Sequence, residues 1–212
     1  GKFYYGIKTG LNEAFVVDRA TRDRLIAEDL SSAELLKPLL RGRDVKRWQI
    51  KPPDLYLIFT RHGVDITKYP AIDKYLNKYK KELTPGADGG RKPGSYEWYE
   101  IQDNIAYWEE FEKPKIAYPN ICKRNEFAWD DKGYYINQKA FIIPDASKYL
   151  LGILNSTVVL WLFDKLLAKL QNGYYEPSAI FIKDFPIPVT NEPQPIESLV
   201  NKVLAIKDKK PN

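Results

Sequence analysis

The chain has 212 residues, of which 44% are hydrophobic and 29% charged, and its formal net charge is +5. That is an ordinary globular composition, long enough for one large domain or two small ones, and basic enough to permit a nucleic-acid partner without demanding one. With a single cysteine (Cys122) and a single histidine (His62), an internal disulfide and zinc or iron–sulfur sites built on Cys/His sets are excluded.

Taken in order, Phe3–Lys8 reads as a strand, Thr9–Glu13 as a turn, Ala14–Asp18 as a second strand and Thr21–Glu28 as a short helix. Ser31-Ser32-Ala33-Glu34 has the pattern of a capping box, opening a helix that runs to about Pro38. Then comes Leu39-Leu40-Arg41-Gly42-Arg43-Asp44-Val45-Lys46-Arg47-Trp48. Between Lys37 and Lys51 stand six basic residues and one acid, a local excess equal to that of the whole chain. Gly42 lets the backbone bend, and arginine forks suit phosphate oxygens and guanine edges. The same charges also suit a solvated helix end.

Asp54–Thr60 reads as a buried strand. Tyr69-Pro70 opens a helix with Ile72, Tyr75, Leu76 and Tyr79 on one face and lysines on the other. Leu83–Ser95, with four Gly and two Pro, is a candidate mobile loop that carries Arg91 and Lys92. A short helix is expected around Ala106–Glu112, a strand at Lys115–Pro119 and a hairpin from Phe127–Asp130 to Gly133–Asn137. Ala140–Ile143 continues the sheet. Ser147–Leu154 and Thr157–Leu170 read as two helices joined at Asn155-Ser156. The loop Gln171–Tyr175 leads to a last strand, Ile180–Lys183. After Glu192-Pro193-Gln194-Pro195 an amphipathic helix carries Ile196, Leu199, Val200, Val203 and Leu204 in one stripe and ends in Lys207-Asp208-Lys209-Lys210. The expected division is a domain over 1–190 and a linker plus helix over 191–212. Trp48, Trp98, Trp108 and Trp161 are expected in the core.

Catalytic signatures are missing. There is no Gly-rich phosphate loop or dinucleotide fingerprint. Lys51-Pro52-Pro53-Asp54 lacks the Asn and the aromatic of an adenine-methyltransferase motif. The carboxylates Glu97, Glu100, Glu109, Glu110 and Glu112 read as a solvated face, with a metal-dependent nuclease site there as an alternative. The most apolar run, Tyr149–Phe163, is too short and too polar to span a bilayer, so no membrane partner is expected. A free thiol fits a reducing, cytoplasmic setting. The absence of methionine and a start at Gly1 directly before strand-like residues lead us to expect a fragment of a longer protein.

Several stretches together resemble the TaqI-like specificity domain. They are Gly6-Ile7-Lys8-Thr9-Gly10-Leu11-Asn12-Glu13-Ala14-Phe15-Val16-Val17, then Leu39–Trp48, then Lys113-Pro114-Lys115-Ile116-Ala117-Tyr118-Pro119. Gly133-Tyr134-Tyr135-Ile136-Asn137 with Phe141-Ile142-Ile143-Pro144 follows, then Tyr149-Leu150-Leu151-Gly152-Ile153-Leu154-Asn155-Ser156. Gly173-Tyr174-Tyr175 with Phe181–Pro188 closes the series. Each motif is weak alone, and the six in order are specific. The resemblance implies an α+β domain, a mixed sheet with peripheral helices, that serves as the target-recognition half of an adenine-N6 DNA methyltransferase or a fused restriction–modification enzyme. It implies double-stranded DNA and an N-terminal methyltransferase domain as partners. AdoMet would belong to that catalytic domain, with no cofactor and no catalysis in the fragment itself.

A recognition domain needs cations and amides for phosphate and polar side chains for base edges. The candidates are Lys8, Thr9 and Asn12 in the first turn, and Arg41, Arg43, Lys46 and Arg47 in the basic stretch. Asn120, Lys123 and Arg124 follow a strand end, and Gln171, Asn172, Tyr174 and Tyr175 form the late loop. Turn chemistry and hydrophobic packing explain some of these equally well. Arg43 with Asp44 is an alternative internal pair. The basic stretch is expected to hold backbone phosphate or brace the domain, and the loops Asn120–Asn125 and Gln171–Tyr175 to read sequence. A protein-interaction role for the C-terminal helix is a further alternative.

Overall fold

The computed structural model describes residues 2–209. Gly1 and residues 210–212, including Lys210 of the expected basic helix end, lie outside the described residues. The architecture is α+β, with short antiparallel strands and peripheral helices. The described chain forms two compact units, one from residues 2–6, 40–51 and 109–209, the other from 7–39 and 52–108. Both draw on the stretch 1–190.

In the first unit four strands lie in the order Tyr4–Tyr5, Ala140–Pro144, Lys115–Pro119, Ala128–Asp130, each antiparallel to its neighbour. The two central strands are buried at every position, which is why their sequences read as continuous apolar runs instead of alternating. Ile116, Tyr118, Phe141 and Ile143 meet Leu151, Leu154, Val159 and Phe163 of the covering helices in one core. Lys115 departs from this pattern. Its side chain and that of Asp130, its cross-strand partner, are both fully buried and form an ion pair at 2.6 Å. The ammonium also donates to the Phe111 carbonyl. Burial pushes Lys115 below the ordinary lysine range against the opposing pull of Asp130.

Helices Lys148–Leu154 and Thr157–Leu166 start on Ser147 and Ser156, whose hydroxyls accept from Leu150 N and Val159 N. The C-terminal helix Gln194–Asp208 buries Val200 and packs Ile196 and Leu204 on this core. A Cβ at Gly152 would come within 2.8 Å of Ile196, so the glycine permits the close approach. No single helix among the described residues is long and apolar enough to cross a membrane.

In the second unit Leu55–Ile58 lies between Val16–Asp18 and residues 36–39, antiparallel to both. Helix Arg19–Glu28 is capped by Asp18, and helix Pro70–Leu76 has its proline in the first turn.

Several expectations need correction. The stretch Ala14–Asp18 begins as a helical turn, Asn12–Phe15, before the strand. The helix opened near Ser31 stops at Leu35, and Pro38 sits in a strand opposite Tyr56. Ala128–Asp130 pairs with Lys115–Ala117 and not with the following segment. The Asp130 carboxylate accepts from Lys132 N and Tyr134 N and turns the chain away. Ile180–Lys183 is not a strand; Ala179–Ile182 is a helical turn that buries Ile182 and, three residues on, Phe185. Trp161 is 58% exposed. The expected mobile loop is organised around Arg91, which is only 5% exposed. Its guanidinium donates to the carbonyls of Leu83, Thr9, Glu100 and Trp98 at 2.7–2.9 Å, and so is not presented to a ligand.

Candidate nucleic-acid interface

The basic stretch enters the first unit at Leu40. Gly42–Asp44 forms a single 3-10 turn. An ideal Cβ on Gly42 would lie 2.1 Å from the Lys139 carbonyl oxygen. The residue is therefore glycine because two backbones touch, not because the chain bends there. Asp44, nearly buried, accepts from Arg41 N at 2.7 Å and from Arg41 Nε and Nη2 at 2.9 Å each. The internal pair is thus Arg41–Asp44 and not Arg43–Asp44, because the 3-10 turn brings residue i back over residue i+3. Arg43 is left exposed.

Val45–Lys46 then pairs with Gln49–Ile50. At the bend Trp48 has φ 68°, and its N–H donates to the Phe127 carbonyl at 2.9 Å. Arg47 is half-buried and donates to the Asn155 carbonyl at 2.5 Å. Burial, aided by the charge of Arg124, lowers its guanidinium from the ordinary range. Arg47 braces the unit.

The segment after strand Lys115–Pro119 is fixed at three points. Asn120 N donates to the Lys139 carbonyl at 3.0 Å, and Cys122 and Tyr175 exchange N–H···O bonds of 3.1 and 2.8 Å. The fully buried Asn125 amide donates to the carbonyls of Leu154 and Ser156, both at 2.8 Å. Next to it, the Asn155 side chain bonds both Phe127 N, at 3.2 Å, and Phe127 O, at 2.8 Å. The Asn155-Ser156 joint between two helices is therefore also the anchor of the loop 120–126.

The late loop is held against this one. Leu170 N donates to Tyr174 O at 2.7 Å, and Asn172 adopts φ 60°. The Lys123 ammonium lies 5.1 Å from the centre of the Tyr174 ring. Two loops far apart in sequence thus form one surface.

Together with the turn 137–139 these elements enclose an open depression of about 520 Å³. Its cations are Arg41, Arg43, Lys46, Lys123 and Lys139; its neutral polar groups include Asn120 and Asn137; its one acid among the described lining residues is Glu126. Glu126 lies 3.8 Å from Lys46, and burial pushes its carboxyl up. Cys122 is 2% exposed, and burial moves its thiol up to about 12. It is not an activated nucleophile.

Of the residues singled out from sequence, Arg41, Arg43, Lys46, Asn120, Lys123 and Tyr174 line this depression. Arg124, Gln171 and Asn172 are exposed but do not line it. Tyr175 is 7% exposed, with its ring in the core and its hydroxyl donating to Asp164 at 3.3 Å. It supports the loop from within and is corrected as a contact residue. Lys8, Thr9 and Asn12 belong to the second unit. Thr9 is 4% exposed and donates to Asn12 Oδ1 at 2.9 Å, while its carbonyl accepts from Arg91. Thr9 is likewise corrected, since turn chemistry occupies it. Asn12 is exposed and Lys8 half-buried.

Lys139 and Asn137 escaped the sequence reading. The visible signal was the polar Asn137-Gln138-Lys139 turn between two strands, opposite which Gly42 must pack. Three of the suspected carboxylates are otherwise engaged: Glu110 pairs with Lys113 at 3.0 Å, Glu112 accepts from the Tyr135 hydroxyl, and Glu100 accepts from Gly63 N and Glu97 N. No group of three or more His, Cys, Asp or Glu that could hold a metal occurs among the described residues.

A family model described as the TaqI-like C-terminal specificity domain matches residues 37–187. The type II methyltransferase M.BanIII of Aneurinibacillus aneurinilyticus is 25% identical over 205 residues, covering 86% of this chain and 34% of that protein. The solved structure of the type IIL restriction-modification enzyme MmeI in complex with DNA superposes with a TM-score of 0.70 at 18% identity. That match covers all of this chain and 28% of the other. The chain therefore spans about a third of these relatives' lengths.

Proposed function

The chain belongs to the family of TaqI-like C-terminal specificity domains, and from that premise we propose that it binds double-stranded DNA through the depression of its first unit and supplies sequence specificity to a larger enzyme. The observation that carries this reading is the composition of the depression. Exposed cations from three separate segments (Arg43, Lys123 and Lys139) converge beside Asn120 and Asn137, on loops held by backbone hydrogen bonds to a buried sheet. Cations hold phosphates and amides read base edges, and both work best from a rigid frame. Arg41 and Arg47 brace this surface. The parent protein, on this reading, is a cytoplasmic adenine-N6 methyltransferase, fused to a nuclease in some forms. Its AdoMet and its chemistry would lie in a separate N-terminal domain, and the specificity domain would hold the duplex while the target base is flipped.

Glu126 supplies the test. Its neutralisation removes the negative charge that faces Lys46. Glu126→Gln is expected to tighten duplex binding roughly two- to five-fold at low salt, while Lys123→Ala weakens it and reduces the salt slope by about 1. Because burial raises the Glu126 carboxyl, protonation removes that charge above the ordinary carboxylate range. Wild-type affinity should therefore rise as pH falls through the raised value, and Glu126→Gln should lose that rise. Fluorescence anisotropy of a labelled duplex reads all three. Binding indifferent to both substitutions would remove the depression from the interface.

A further inference from the structure

Ile121 is out of character with its surroundings. It lines the depression among Arg43, Lys46, Lys123 and Lys139, yet its aliphatic side chain is 45% exposed. The exposure does not come from a loose backbone. Asn120 before it is bonded to the Lys139 carbonyl, and Cys122 after it exchanges two hydrogen bonds with Tyr175. Pro119 and Cys122, on either side of the Asn120-Ile121 pair, also line the depression but are buried, so in this segment the aliphatic side chain that stands open to a ligand is Ile121. An sp³ hydrocarbon gains nothing from phosphate and offers no hydrogen bond to a base. On a duplex, the group it suits is the C5-methyl of thymine at the edge of the major groove.

We propose that Ile121 is a specificity-determining residue that packs on a thymine methyl, while Asn120 and the neighbouring cations hold the duplex around it. This rests on the DNA reading above and goes further by naming a base. The other use of an exposed aliphatic side chain on DNA is as a wedge between base steps. A wedge bends the duplex and is indifferent to the methyl.

The test uses the 212-residue chain. A preferred duplex is selected from a random library at low salt, and each of its thymines is replaced in turn by deoxyuridine, which lacks only the methyl. The expected result is one thymine at which uracil weakens wild-type binding about four-fold, the value of one buried methyl group. Ile121→Ala should lose the same factor on the thymine duplex and cease to distinguish the two bases, whereas Ile121→Val should still distinguish them. Thermal melts establish that both variants are folded. A selected site without thymine, uracil tolerated throughout by the wild type, or undiminished discrimination by Ile121→Ala would overturn the proposal. So would a duplex bent by the wild type and straight with Ile121→Ala while uracil is tolerated. Duplex binding that ignores the methyl removes this inference alone; no duplex binding at any salt removes the recognition reading and the inference together.

Discussion

Lys115→Ala is expected to lower the free energy of unfolding by about 3–5 kcal/mol, the loss typical of breaking a buried ion pair from one side. Lys115 and Asp130 are both fully buried and 2.6 Å apart. Removing the ammonium leaves a carboxylate in the sheet with only the N–H groups of Lys132 and Tyr134 to solvate it. The cost comes from the stranded charge more than from the lost attraction. Replacing both members with uncharged groups, Lys115→Met with Asp130→Asn, should therefore cost less than Lys115→Ala alone, although it removes more charge. Urea denaturation of the three proteins decides this. A loss below about 1 kcal/mol for Lys115→Ala would show that the pair is not buried as described.

Asn155→Ala is expected to cost about 2–3 kcal/mol and, separately, to weaken DNA binding without touching the depression. The side chain satisfies Phe127 N and Phe127 O. The carbonyl keeps its bond from Trp48 N, so the substitution strands one buried N–H, worth about 1–3 kcal/mol, and opens a small void. The second effect follows from position. The bonds to Phe127 end the loop 120–126, which carries Asn120, Ile121 and Lys123 into the depression. Denaturation and duplex titration of the same variant read both. Full affinity in a clearly destabilised protein would separate the anchor from the interface.

The elements were legible in the sequence where separate physical rules pointed the same way. Pro70 at a helix start, the serines that open two helices and the fully buried strands Lys115–Pro119 and Ala140–Pro144, apolar but for Lys115, were all readable because local chemistry and burial agree there. Pro38 misled because proline commonly ends a helix, whereas here it lies in a strand. Ile180–Lys183 misled because four residues cannot separate a period of two from a helical turn. At the candidate site, the basic stretch was found but its internal pairing was not. Charge order suggests Arg43 with Asp44, and only the 3-10 turn shows that Arg41 takes the carboxylate. Lys139 was missed because Gly42, the residue it packs against, is 97 residues away in sequence. Arg91 was misjudged for the reverse reason. A Gly- and Pro-rich segment reads as free until one buried guanidinium is seen to tie it to the carbonyls of Thr9, Leu83, Trp98 and Glu100.

On the reading proposed above, the depression of the first unit is the DNA-binding surface. Amide hydrogen exchange of the whole chain, with and without saturating duplex, tests it without any substitution. The expected result is slowed exchange at residues 41–46, 120–124, 137–139 and 171–174, with little change along helix Pro70–Leu76. Slowing confined to residues 7–39 and 52–108, with those four segments unchanged, would contradict it.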